Sequence, residues 1–210
     1  MIRSLIISIL GLCVCTSCIG QDTVRWSLYT NITRNIDISH PRINLGVEMA
    51  SGAHRYKVAL AACYRSPYSQ LAANGGSIDL SYQFPVSRRY DLTVGSSYGF
   101  VHYRALGNFA APDLADQIDA GYEEYYDIDK TLFDVYVAMS KRINWSKTLW
   151  AQPFLGLGFR YKWVKQTGRS HPEDPFAGPD LNGLMLRDHI SDFGVPTLRF
   201  GLLIGFRLGH

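Results

Sequence analysis

From about residue 23 onward, apolar and polar side chains alternate with a period of two in eight separate stretches. Alternation sends successive side chains to opposite faces of an extended strand, whereas a helix would repeat every three to four residues. In stretch 23–35, Val24, Trp26, Leu28 and Ile32 share one phase, with Arg25, Ser27, Tyr29 and Asn31 on the other. Stretch 42–50 sets Ile43, Leu45, Val47 and Met49 against Asn44, Gly46 and Glu48, and stretch 55–65 sets Tyr56, Val58 and Leu60 against Lys57, Ala59, Ala61 and Cys63. The same pattern recurs at 77–85, 90–104, 132–142, 148–164 and 195–209, the last with Leu198, Phe200, Leu202, Ile204 and Phe206 opposite Arg199, Gly201, Leu203, Gly205 and Arg207.

Volume decides which phase points outward. An eight-stranded barrel is barely wide enough for its own lining, so the large apolar phase cannot fit inside it. The other phase is rich in Gly, Ala and Ser, which do fit. An apolar exterior needs lipid rather than water, so the pattern predicts an all-β chain forming an eight-stranded antiparallel up-and-down transmembrane β-barrel. The connections agree: 51–54, 86–89 and 143–147 are short, while 36–41, 66–76, 105–131 and 165–193 are longer. Aromatic residues fall near the expected rims, with Trp26, Tyr56, Tyr90 and Phe206 at the short-turn end and Tyr64, Tyr98, Tyr161 and Trp163 at the other. Pro153 and Pro196 each lack an amide donor, and a closed barrel has no free edge for them. They predict a bulge in the seventh strand and a start signal for the eighth.

The first twenty residues differ. Arg3, the apolar run 5–15 and a small-residue region ending at Gly20 have the order of a secretory signal peptide, too short for a membrane helix. Residues 1–20 are therefore expected to be a leader cleaved after Gly20, with 21–210 as one barrel domain; lipidation at Cys18 is the rival. Cys13, Cys15 and Cys18 lie in the leader and leave Cys63 alone, so no internal disulfide and no metal spacing is expected. Loss of Arg3 takes the formal charge from +3 to +2, which points to neither nucleic acid nor an acidic partner.

The inward phase carries Arg25, Lys57, Arg160, Lys162, Arg199 and Arg207 together with Glu48, Asp79, Asp91 and Asp134. Isolated buried charges are costly, so a lumenal network of salt bridges is expected, with a narrow polar pore as the alternative. The 105–131 connection is acidic and is expected to be a solvated surface loop; it has no EF-hand spacing, and no metal or cofactor is implied. His102, with Ser97 and Asp91 on the same stretch and His171 and His189 in the last connection, has no diagnostic catalytic spacing, so no catalytic residue is assigned. Asn31-Ile32-Thr33 and Asn144-Trp145-Ser146 match the glycosylation pattern, which is common by chance.

Leader, eight alternating stretches, unequal connections and the closing run Arg199 to Leu208 together resemble small bacterial outer-membrane β-barrel proteins of the OmpA-barrel and OmpW type. The resemblance covers 23–209 and is architectural. It implies an outer-membrane location, contact with outer-membrane lipid, and handling by the barrel-insertion machinery. That machinery reads a terminal aromatic residue, whereas this chain ends Leu208-Gly209-His210 with Phe206 as the nearest aromatic. The family hosts anchors, adhesins, channels and some enzymes, so the fold alone does not decide function. The expectation is a non-enzymatic structural or surface-interacting barrel, with 105–131 and 165–193 available to an extracellular partner. A narrow channel is second and a lipid-modifying enzyme third.

Overall fold

The structure, a computed structural model, describes residues 24–33, 42–63, 74–110, 121–175 and 192–208. The leader, Tyr64 and His189 lie outside these residues. The strands are β1 (Arg25–Asn31), β2 (Arg42–Ser51), β3 (His54–Cys63), β4 (Asn74–Pro85), β5 (Asp91–Ala110), β6 (Gly121–Ser140), the two-residue β7 (Ile143–Asn144), β8 (Leu149–Thr167) and β9 (Phe193–Leu208). Each long strand pairs antiparallel with its neighbour in the chain, and β1 pairs with β9. The ring is closed and eight strands around, as the alternation predicts.

The short turns fall where expected. Ser51 pairs with His54, leaving Gly52 and Ala53 as the turn, and Gly52 takes a φ of 55° that a side chain would strain. The next turn closes through the amides of Val86 and Ser87 on the Tyr90 carbonyl. In the third, the amides of Trp145 and Ser146 bond the Leu149 carbonyl, and Ser146 Oγ accepts from the amides of Thr148 and Leu149.

Both prolines depart from expectation. No bulge forms at Pro153: Ser140 faces Phe154 and Ile143 faces Ala151, so the register runs on without offset. The Pro153 carbonyl accepts from the Lys141 amide at 3.2 Å, but its ring nitrogen returns nothing. That single missing bond is what separates β7 from β6. Pro196 is no start signal either, because β9 begins three residues earlier at Phe193. The Arg207 amide bonds the Thr148 carbonyl, and alternation from that pair turns the Pro196 nitrogen away from β8, toward the β1 side. There the described pairing stops at Asn31 and Leu203, short of Pro196.

The outward phase forms an apolar belt. Ile43, Leu45, Leu60, Val94, Phe100, Phe133, Val135, Leu155, Leu157, Leu198 and Phe200 are all exposed. So continuous a surface is stable against hydrocarbon and not against water, which makes this a transmembrane barrel. Trp26, Tyr56, Tyr90 and Phe206 are exposed toward the short-turn end; Tyr98 and Trp163 are exposed toward the other, with Tyr161 edge-on to Trp163 at 4.7 Å.

The 105–131 connection is not a loop at its ends. Residues 105–110 and 121–131 continue β5 and β6 as a hairpin paired from Asp91 and Ser140 up to Ala110 and Gly121. Twenty residues give about 65 Å of strand, roughly 50 Å along the axis at a usual tilt of about 40°, against an apolar band about 25 Å tall. The exposed apolar run of β6 is Phe133, Val135, Val137 and Met139, and the hairpin continues above it. There the amphipathic pattern inverts. Below, Val94, Tyr98, Phe100, Phe133 and Val135 point outward; above, Val101, Tyr103, Ala105, Phe109, Tyr126 and Ile128 turn inward and are buried, while His102, Arg104, Asn108, Glu123 and Asp129 face water.

Inside the barrel, three large rings lie over glycines that oppose them in register: Tyr29 on Gly46, Tyr136 on Gly95 and Trp150 on Gly205. A Cβ at Gly205 would fall inside the Trp150 ring. Because Trp150 is fully buried, the ring has nowhere to move.

The height of the belt is testable. Leu157, 70% exposed and flanked by Val137 and Leu198, sits in mid-belt. Leu157→Arg should destabilise the barrel by about 2–4 kcal/mol in refolding titrations in lipid vesicles, whereas Leu106→Arg, on the wet face of the hairpin, should change it by less than about 0.5 kcal/mol.

Candidate functional site in the barrel interior

The interior is built in three tiers. The lowest is a polar floor near the short turns. Glu48 and Lys57 are direct partners on β2 and β3, and both are inaccessible, at 0% and 3% side-chain exposure. Lys57 Nζ lies 3.5 Å from Glu48 Oε2 and donates to Gln83 Oε1 at 2.6 Å and Gln152 Oε1 at 3.1 Å. Gln152 Nε2 donates on to Gln83 Oε1 and Ser140 Oγ, and Gln83 Nε2 to Asp91 Oδ2. Arg142 reaches across to pair with Glu48, its guanidinium 3.8 Å from the centroid of the Trp150 ring. Arg55 holds the other side of the floor through Asp91 at 3.0 Å. These side chains cross the lumen from β2, β3, β4, β5, the β6–β7 junction and β8.

Above the floor is a cavity of about 600 Å³. Asp134 is its main carboxylate on β6. It accepts from Arg160 Nε at 2.7 Å, from Arg160 Nη2 at 3.3 Å, and pairs with Arg199 Nη2 at 3.0 Å. Arg199 also lies over the Tyr136 ring at 4.0 Å. Lower on the wall, Asn44 Oδ1 accepts from the Asn31 amide at 2.6 Å and Thr30 Oγ1 donates to the Asn44 carbonyl.

The third tier is an apolar roof of Cys63, Val101, Tyr103, Ala105, Phe109, Tyr126, Ile128 and Leu132. Lys130, also buried, places its amine 5.1 Å from the Tyr103 ring centroid. Residues 168–175 fold over this roof. The Ala110 amide bonds the Pro175 carbonyl, Tyr122 Oη donates to Asp174 Oδ2 at 2.9 Å, and Arg169 covers the Phe109 ring at 4.2 Å. Ser170 donates through both its amide, at 2.9 Å, and its hydroxyl to the Glu124 carboxylate. These bonds hold the Glu124 carboxyl below its ordinary value, the hydroxyl contributing most.

The ten charges on the inward phase are spread over several places in the barrel. Glu48, Lys57 and Asp91 belong to the floor; Asp134, Arg160 and Arg199 form a separate cluster on the cavity wall; Asp79 is buried and lines the cavity. Lys162 is buried with its amine 3.8 Å from the Phe193 ring centroid. Arg25 is exposed, because it sits at the end of β1 where the rim meets water. Arg207 bonds the Lys147 carbonyl and Asn144 Oδ1 at the same rim. Four floor residues escaped the sequence reading. Arg55 and Arg142 are the end residues of the stretches 55–65 and 132–142 and lie on the inward phase, but were not counted among its charges. The alternation places Gln83 and Gln152 on the inward phase, but without charge they gave no signal of a role in the floor.

The rim residues considered for catalysis are kept apart. Ser97 is buried on the inward face, whereas His102 points outward and bonds Asp129 at 2.7 Å, and Asp91 lies at the far end of β5 with Arg55 and Gln83. His171 stands edge-on to Tyr122 and 3.6 Å from Glu173. Asn31 is buried, with Oδ1 accepting from Thr33, and so is no surface acceptor.

No family model and no curated protein matches this chain. Among solved structures, it is similar to a major outer membrane protein from Thermus thermophilus, at 11% identity and a TM-score of 0.45, over 89% of this chain and 100% of that one.

Removing one partner of a buried ion pair strands the other. Glu48→Gln should therefore cost about 3–5 kcal/mol in urea unfolding, while Asp129→Asn, at an exposed pair, should cost less than about 1 kcal/mol. The cap should respond to acid. Glu124 is depressed in the folded state, so its contribution is present above the ordinary carboxylate value of 4.5 and is lost as pH falls through the folded value. Amide exchange at Ser170 should stay slow down to pH 4.5 and accelerate only below it, and Glu124→Gln should abolish that acid step.

Proposed function

We propose that this is a non-enzymatic outer-membrane barrel with a structural or surface-interacting role, holding the β5–β6 hairpin and its 168–175 cap as a rigid platform above the lipid. One observation carries the reading: the lumen is crossed at the floor by a buried polar network, and the β5–β6 hairpin above the belt packs an apolar core of its own. The wet face of the hairpin, with His102, Arg104, Leu106, Tyr125 and Asp129, is the surface offered to an extracellular partner. Outer-membrane lipid contacts the belt, and the barrel-insertion machinery delivers the chain there.

The cavity above the floor favours a second reading, a gated channel whose floor side chains swing aside. Opening would break the Lys57, Gln83 and Gln152 bonds together and expose the Glu48 pair, a concerted rearrangement of a closed network. In planar bilayers the protein should insert without steady conductance. A persistent ohmic current would overturn the platform reading in favour of the channel.

A further inference from the structure

The charges inside the barrel do not balance. Among the described residues of the floor and cavity wall, Arg42, Arg55, Lys57, Arg142, Arg160 and Arg199 face Glu48, Asp79, Asp91 and Asp134. On the cavity lining Lys57 is answered by Glu48 of the floor, and Arg42, Arg160 and Arg199 then meet Asp79 and Asp134, one cation in excess. Excess positive charge enclosed in a narrow lumen is costly unless an anion accompanies it. We infer that the cavity is a binding site for a small free oxyanion, a carboxylate- or phosphate-bearing solute, held chiefly by Arg160 and Arg199.

The geometry fits that class better than a bare halide. Two guanidinium groups converge on the single Asp134 carboxylate, so the wall keeps one positive charge and planar donors suited to a forked oxyanion. Tyr136 supports Arg199 from below and fixes its plane. Two residues before Arg199 on the same inward phase, Thr197 lines the cavity, and its buried hydroxyl has no hydrogen-bond partner. A hydroxyl donor next to a cationic fork completes a third point of contact. A volume of about 600 Å³ exceeds what one inorganic ion fills and lies within the range of small-molecule sites, about 300–1,000 Å³. The site lies above the floor and shares no residue with the hairpin surface, so it stands or falls independently of the platform reading.

The test uses inorganic phosphate as the probe, with the full barrel refolded in phosphatidylcholine vesicles and ionic strength held constant with chloride. Because refolding occurs in the presence of the anion, no entry path is required. Raising phosphate should move the urea midpoint upward, and Arg199→Gln should weaken the phosphate affinity derived from that shift by about tenfold or more. Arg207→Gln, at the rim, should leave the affinity unchanged. If Arg199→Gln migrates identically heated and unheated, and so has not folded, Thr197→Val replaces it with an expected weakening of about fivefold. Absence of any phosphate-dependent shift, or a shift that survives both lumenal substitutions, overturns the site. Stabilisation by added phosphatidylglycerol with none by phosphate overturns it as well, because the anion would then be a lipid headgroup on the exterior.

Discussion

The same strands meet two solvents on their outer side, and most of the molecule is arranged around that change. Between the rims the outside is hydrocarbon, so the large apolar side chains face out and the interior is left to small, polar and charged ones. Above the belt the outside is water. The hairpin formed by β5 and β6 has to build a core of its own there, and it does so by turning the opposite phase inward, with Tyr103, Phe109, Tyr126 and Ile128 beneath the 168–175 cap. No register shift accompanies the inversion: the pairing of β5 with β6 is continuous across it. Side-chain chemistry changes phase while the backbone does not.

A closed barrel satisfies its backbone around the ring, which leaves the lumen as the place where polar side chains have to satisfy each other. The floor does this by crossing the lumen rather than by pairing neighbours only. Lys57 bonds residues on β4 and β8 as well as facing its own partner Glu48, and Arg142 joins the same carboxylate from the opposite wall. Buried ion pairs of this kind add little net stability over well-packed apolar groups, but they are strongly directional and costly to break. Their effect is to lock strands that are distant in sequence into one cross-section. The glycines opposite Tyr29, Tyr136 and Trp150 serve the same end, since a ring lying flat over a neighbouring strand fills a narrow lumen without splaying the wall.

The prolines show how much irregularity such a ladder absorbs. Pro153 removes one donor where β6 gives way to β7, a few residues from the short turn, and the strands stay in register. Pro196 sits where its nitrogen faces the side on which described pairing with β1 has ended. Position relative to the ladder, and not proline content, sets the cost.

Alternation alone determined the eight strands in their order, the face of each that meets lipid, the three short turns, and the inward placement of Glu48, Lys57, Asp134 and Arg199. These follow from a local rule: a pleated strand sends neighbouring side chains to opposite sides, and the apolar set must leave the lumen. Tertiary structure alone decided how the inward charges divide, because Glu48 joins Arg142 across the width of the barrel and Asp134 joins Arg199 over the intervening β8, contacts on which sequence separation carries no information. It also decided that 121–131 is strand. There the rule still holds, but the outer medium has changed from lipid to water, and a pattern read with one solvent in mind has the wrong sign in the other.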